Sequence, residues 1–157
     1  MKYLNWFILG LVVGVAGYGL FQYYHQPNQP VETQEILVYF NRSEPTDIVQ
    51  IAVGRIIPKT KAVATAAIQE LLQGPTAEEK AQGLTTAINQ GTVLNYVRID
   101  AGVATVDFND QFDFRMGGSA QVRAIYQQIY KTLTQFPTIK EIKITINHGE
   151  RPANLEP

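Results

Sequence analysis

Three kinds of hydrophobic pattern follow one another along the chain. The first is an unbroken run, LNWFILGLVVGVAGYGLF, apolar from Leu4 to Phe21 except at Asn5. As a helix this run would span about 27 Å at about 1.5 Å per residue, close to the hydrocarbon core of about 30 Å, so residues 1–24 are expected to form one transmembrane helix. The second pattern is short apolar or alternating stretches bounded by turn residues, which predict strands over Glu35–Asn41, Ile48–Ile57 and Glu141–Asn147, and a hairpin over Thr92–Asn109. In the hairpin Val93, Asn95, Val97 and Ile99 are expected on one face, with Asp100, Ala101 and Gly102 as the turn. In the last strand Ile142, Ile144 and Ile146 face inward, and Lys143 and Thr145 outward. The third pattern is helical. Val63, Ala67, Ile68, Leu71 and Leu72 recur at helix spacing after Thr60, and Val122, Ile125, Ile129, Leu133 and Phe136 do so after Ser119.

Punctuation sharpens these elements. Thr60 is the expected N-cap of the first helix, Gly74 its αL terminator, and Pro75 blocks its continuation. Thr76 with Glu79 three residues on reads as a capping box opening one or two further turns. Ser119 is the expected N-cap of the later helix, with Gly117 and Gly118 supplying unusual dihedrals before it, and Pro137 stops that helix. Gly54 within a strand suggests a bulge or a close backbone approach. The order is β-β-α-β-β-α-β, which predicts an α+β domain with one mixed sheet and two helices packed on one face. The expected division is an anchor at 1–24, a polar linker at 25–34, the α+β domain at 35–149 and a flexible tail at 150–157.

Charge orients the chain and narrows its chemistry. Lys2 and the amino terminus lie on one side of the apolar run, and no Lys or Arg stands between Gln22 and Glu35. This bias places the N-terminus in the cytoplasm and the domain outside, as a single-pass protein of a bacterial cell membrane. The competing reading of the same run is a cleaved signal peptide. The run is long for one, and Gly17 with Gly19 makes a weak cleavage site. Gly10 and Gly14 form a GxxxG on which two anchors could pack. A net charge of −1 offers no basic footprint for nucleic acid. The absence of cysteine excludes disulfides, thiolate metal sites, cysteine nucleophiles and an acylated N-terminal cysteine.

The candidate chemistry is thin. MGGSA between a strand and a helix lacks the lysine of a phosphate loop and the spacing of a dinucleotide fingerprint. Ser119 has no evident base, since the two histidines, His25 and His148, fall in the linker and near the tail. Asp107, Asp110 and Asp113 invite a calcium or acid–base reading, but Phe112 and Gly118 stand where a calcium loop needs glycine and glutamate. Phe108, Phe112 and Phe114 suggest instead a loop with buried aromatics. Glu70, Glu78 and Glu79 read as solvated helix positions, Tyr126 and Tyr130 as flanks of a buried stripe. No catalytic, cofactor-binding or metal-binding residue is therefore assigned, and no cofactor is expected.

Several segments together resemble the GerMN domain, the sporulation and spore germination module. They are Leu72-Gln73-Gly74-Pro75-Thr76 with Glu79 and Gly83-Leu84, then Ala104-Thr105-Val106-Asp107-Phe108, then Gly118-Ser119-Ala120, and Leu133 through Pro137. The resemblance covers Glu35 to about Gly149. It implies a fold similar to ring-building motifs and a non-catalytic envelope module, which in spore formers helps assemble complexes between membranes during engulfment. Gly74, Pro75, Thr76, Glu79, Asp107, Phe108, Gly117, Gly118 and Ser119 are then structural motif residues. Family members are often lipoproteins and sometimes carry two copies of the domain; this chain shows one copy and an apolar run instead. The function expected is an extracytoplasmic interaction or assembly module, partnered by envelope proteins or by itself. The alternative is a binding module for a cell-wall glycan or other envelope ligand, using an exposed sheet face with Asn95, Lys143 and Thr145.

Overall fold

A computed structural model describes residues 30–153. The chain divides into two units at Val31–Glu32, and the description that follows is of the second. The expected anchor and most of the linker lie outside the described residues. Among the described residues no helix is long and apolar enough to cross a membrane.

The domain runs β1 (Thr33–Ser43), β2 (Ile48–Pro58), α1 (Val63–Gln73), α2 (Ala77–Ala81), β3 (Leu84–Thr85), β4 (Leu94–Asp100), β5 (Val103–Phe108), α3 (Ser119–Thr134), β6 (Glu141–Ile146) and β7 (Arg151–Pro152). The strands form two sheets, β2-β1-β3 and β4-β5-β6-β7. This corrects the expected single mixed sheet, although the fold is α+β as anticipated. Strand β1 starts at Thr33, inside the expected linker, and pairs antiparallel with β2 along its whole length. In the second sheet β4 and β5 form the predicted hairpin, and β5 pairs in parallel with β6 across the α3 connection.

A main apolar core joins the elements, with a smaller cluster of Ile36, Ile57 and Ala67 beside it. Val38 and Phe40 of β1, Ile68 and Leu71 of α1, Val106 and Phe108 of β5, Ile125, Ile129 and Leu133 of α3, and Ile144 and Ile146 of β6 are all buried in the main core. Both helices therefore bury most of the stripes read from their periodicity, but Val63, Leu72 and Phe136 are only half-buried. Phe112 stacks on Phe108 with ring centroids 4.5 Å apart, whereas Phe114 is exposed.

The separation into two sheets has a local cause in α3. Antiparallel pairing with β2 uses the backbone groups of alternate β1 residues, leaving Leu37 and Tyr39 pointed away from β2. No strand takes them up. The Gln135 side chain donates to the Leu37 carbonyl at 2.7 Å and accepts from its amide at 2.8 Å. Thr132 Oγ1 accepts from the Tyr39 amide at 3.2 Å, and Gln128 Nε2 donates to the Tyr39 carbonyl at 3.1 Å. A helix has thus taken the ladder position where a strand of the second sheet would have joined the first.

Turns account for the other departures. Ala101 and Gly102 both hold positive φ, 46° and 85°, as a two-residue hairpin turn requires. A bulge between Leu94 and Tyr96 breaks the expected alternation of β4. As a result Leu94, Val97 and Ile99 oppose Phe108, Val106 and Ala104, and Asn95 leaves that face. Arg151 and Pro152 pair with Ile146 and Thr145, so ordered structure runs past the expected boundary at 149 into the expected tail.

Candidate functional site

Asp107 lies near the end of β5 and is fully buried. Its Oδ1 accepts from Asn95 Nδ2 at 2.8 Å and from the His148 amide at 2.7 Å. Its Oδ2 accepts from Thr145 Oγ1 at 2.6 Å and from the Gly149 amide at 2.8 Å. The two amides converge because Asn147, His148 and Gly149 all have positive φ (52°, 61° and 85°), a backbone concavity suited to an anion. Burial pushes the Asp107 carboxyl upward, but the hydrogen bonds from Thr145, Asn95, His148 and Gly149 together outweigh it and hold the group below its ordinary value. The β4 bulge turns Asn95 to this carboxylate. Thr145, expected on an outward face, is buried at 5% exposure, where it pairs across from Asp107 and donates to it.

The other two aspartates go elsewhere. Asp110 and Asp113 pair with Arg151, whose Nη2 lies 3.0 Å from each. These two carboxylates hold the Arg151 guanidinium well above its ordinary range. The acid–base and calcium readings need the three carboxylates gathered; the structure buries one and ties the others to β7. Among the described residues no group of three or more His, Cys, Asp or Glu is placed to hold a metal ion.

The GPT motif builds a second cluster. Thr76 Oγ1 accepts from the Glu79 amide and Glu79 Oε2 accepts from the Thr76 amide at 2.9 Å, so the predicted capping box forms. Glu79 is not a solvated position as expected. Its side chain is 14% exposed and binds both terminal nitrogens of Arg55, on β2, at 2.7 and 2.8 Å. Arg55 also lies 4.0 Å from Glu70 and 5.6 Å from the centroid of Phe40. The Arg55 hydrogen bonds lower the Glu79 carboxyl against a smaller opposing effect of burial. Gly74 has φ 76° and ψ −179°, so its φ is positive but its conformation is not the αL cap expected. Beside it Leu71, Leu72, Pro75, Lys80, Thr86 and Gly91 line a groove of about 500–550 Å³.

The GGS segment is arranged differently from its expected reading. Gly118, not Ser119, is the N-cap of α3, with φ −66° and ψ −179°, and Ser119 makes no capping hydrogen bond. Gln121 Oε1 reaches back to the Gly117 amide at 2.9 Å instead. The left-handed residue here is Arg115, at φ 49°, so Gly117 and Gly118 do not supply the special dihedral. The cap of α1 moves too, by two residues: Ala62 is the N-cap, and Thr60 Oγ1 accepts from its amide.

Sequence reasoning missed one centre. Gln128 is fully buried on α3, and its Oε1 accepts from Asn41 Nδ2 and the Ala87 amide, both at 2.9 Å. Its Nε2 donates to the Tyr39 carbonyl and to Thr86 Oγ1. One amide therefore joins α3, β1 and the segment after β3. The available signal was the polar series Gln128, Thr132 and Gln135, spaced four and three apart beside an apolar stripe.

These features define a class: a small α+β domain of two sheets clasped by two long helices, whose conspicuous polar residues bind one another. The chain belongs to the GerMN family. The family profile described as sporulation and spore germination matches residues 37–151. Among curated proteins, the spore germination protein GerM of Bacillus subtilis (strain 168) is 32% identical over 95 residues, 60% of this chain and 25% of that protein. The fold is similar to the tandem GerMN domains of the sporulation protein GerM from Bacillus subtilis, with a TM-score of 0.62 at 25% identity, over 80% of this chain and 43% of that one. The first GerMN domain of the same protein superimposes with a TM-score of 0.55 at 28% identity, over 74% of this chain and 83% of that one. A putative lipoprotein from Clostridium perfringens shares the fold, with a TM-score of 0.50 at 20% identity, over 77% and 79% of the two chains. The chain spans about a quarter of the length of the curated relative it matches.

Proposed function

We propose that this chain is a non-catalytic module of sporulation- or germination-related envelope assemblies, tethered to the cell membrane and working outside it by binding other envelope proteins or further copies of itself. The observation that carries this reading is where the polar side chains go. Asp107, Glu79, Asp110 and Gln128, the groups best suited to chemistry, are spent on intramolecular bonds within a family-typical fold. Membrane attachment is supported by the run from Leu4 to Phe21 and by the charge bias across it. The glycan alternative loses support, because Asn95 and Thr145 bind Asp107 and leave Lys143 as the exposed member of that face.

Crosslinking of the full chain in intact cells, followed by capture from solubilised membranes, tests the proposal. Recovery of the chain with envelope proteins, or with itself, is expected. Recovery of no envelope protein above an untagged control would overturn it, and co-sedimentation with purified peptidoglycan in its place would favour the glycan reading.

A further inference from the structure

The edge of the three-stranded sheet carries one more inference. Among the described residues β2 has a neighbour on one side only. It is 11 residues long, from Ile48 to Pro58, and its single charged side chain, Arg55, is held by Glu79. Solvent-facing edges are ordinarily shortened, bulged or charged, because their unpaired backbone groups template further strands. This edge is long and its register with β1 is unbroken by a bulge, whereas the other side of β1 is paired with β3 at Asn41 and Arg42 and sealed at Leu37 and Tyr39 by Gln128, Thr132 and Gln135.

The pairing parity identifies which groups are free. Odd-numbered β2 residues oppose the even-numbered β1 residues that face them, such as Val53 opposite Val38. Gln50, Ala52, Gly54 and Ile56 therefore direct their backbone groups outward. Ile48, at the end of the row, already donates its amide to Asp47, and the Gly54 carbonyl accepts one bond from Arg55, leaving its second lone pair. The outer-face side chains of this row are themselves uncharged, with the Glu35 carboxylate of β1 lying across Gly54, and Ile56 and Ile48 are 77% and 36% exposed.

We infer that β2 pairs antiparallel with β2 of a second copy of this chain, about a two-fold axis at Ala52. That register sets Ala52 against Ala52 and Gln50 against Gly54, with Ile48 covering Ile56 at both ends. No charge opposes a like charge, since Arg55 stands across from Val49. The two three-stranded sheets become one continuous sheet, the isologous contact that a self-complementary strand permits. This inference rests on the assembly reading and names its contact.

The absence of native cysteine makes a position-specific test clean. In membranes, full-length chain carrying Ala52→Cys should form a self-crosslink with a short bis-maleimide, and chain carrying Lys143→Cys, on the exposed face of the other sheet, should not. A copy with Ile48→Cys should crosslink to a copy with Ile56→Cys. Adding Ala52→Lys to both copies should reduce that product at least tenfold, and Ala52→Lys on one with Ala52→Glu on the other should restore it. An unchanged melting temperature for the Ala52 variants confirms that folding is intact at this exposed position. The inference is overturned if Ala52→Cys crosslinks no better than Lys143→Cys, if it crosslinks to a different protein instead, or if the charge exchange has no effect. Capture of envelope proteins that persists while the Ala52 self-crosslink is absent removes this contact and leaves the assembly reading standing.

Discussion

Replacing Asp107 by Asn should be among the most damaging single changes in the domain, though it alters one atom. The wild-type carboxylate accepts four hydrogen bonds, two at each oxygen. An asparagine presents one oxygen and one NH2 to the same four donors. Thr145 can rotate its hydroxyl to accept, but whichever way the amide lies at least one main-chain or side-chain donor faces another donor. Leaving a buried donor unsatisfied costs about 1–3 kcal/mol, and hydrogen bonds to a charged acceptor contribute about 1.5–3 kcal/mol each, without simple additivity. A total loss of about 2–4 kcal/mol follows, which lowers the melting temperature by roughly 8–16 °C for a domain of this size. Urea denaturation at pH 7 measures the loss directly. The acid limb of stability supplies an independent readout. The folded Asp107 carboxyl is held below its ordinary value, so its contribution is complete above the unfolded pKa of about 3.9 and is lost as pH falls from there through the lower folded value. The Asp107→Asn variant should lack this part of the acid dependence while remaining less stable at neutral pH. A variant within about 0.5 kcal/mol of wild type, or one with the same slope below pH 4, would refute the account of the site.

Gln128→Ala should cost about 2–4 kcal/mol by stranding the Ala87 amide and the Asn41 side chain as well as opening a cavity, again measured by urea denaturation; near-neutral behaviour would show that water replaces the amide without loss. Thr76→Ala and Ser119→Ala form a paired test of capping: the first should cost about 0.5–2 kcal/mol because its cap bond exists, and the second less than about 0.5 kcal/mol because Ser119 makes none. Equal losses in thermal denaturation would contradict the assignment of Gly118 as the N-cap of α3. Gly74→Ala should destabilise by about 1–3 kcal/mol, since φ 76° with ψ −179° is open to glycine almost alone. Gly118→Ala, in ordinary extended backbone with no atom within 4 Å of an added Cβ, should be tolerated in the same measurement.

What was legible in the sequence was what nearest neighbours decide. Both long helices, the β4–β5 hairpin and the capping box at Thr76 depend on spacings of a few residues, and each formed within a residue or two of its expected bounds. The destination of a polar side chain depends on elements far apart in sequence. Asp107 stood out beside Asp110 and Asp113, yet its partners Thr145, His148 and Gly149 lie 38, 41 and 42 positions away. Spacing by three suggested one shared site, but the strand ends at Phe108, so only Asp107 stays in the sheet. Glu79 looked solvated because a five-residue helix has no evident buried face; the arginine that covers it comes from β2, 24 residues earlier.

The sheet count was the largest departure, and α3 shows why it could not be read from strand patterns. A strand pattern tells which residues face a core, not which neighbour fills each backbone edge. The deciding residues were Gln128, Thr132 and Gln135, and on a helical wheel polar residues ordinarily indicate water. Here they face a β-strand and act as its ladder partner, which ends one sheet and frees β5 and β6 to build another. The same arrangement makes the two edges of the first sheet unequal. The β1 edge is satisfied by side chains that no second chain can displace without leaving buried amides unpaired, at about 1–3 kcal/mol for each. Among the described residues the β2 edge has no such occupant, and its intramolecular bonds are confined to the Ile48 amide and one lone pair of the Gly54 carbonyl. Association by strand addition is therefore directed to one side of the sheet by a polar stripe on a helix at the other.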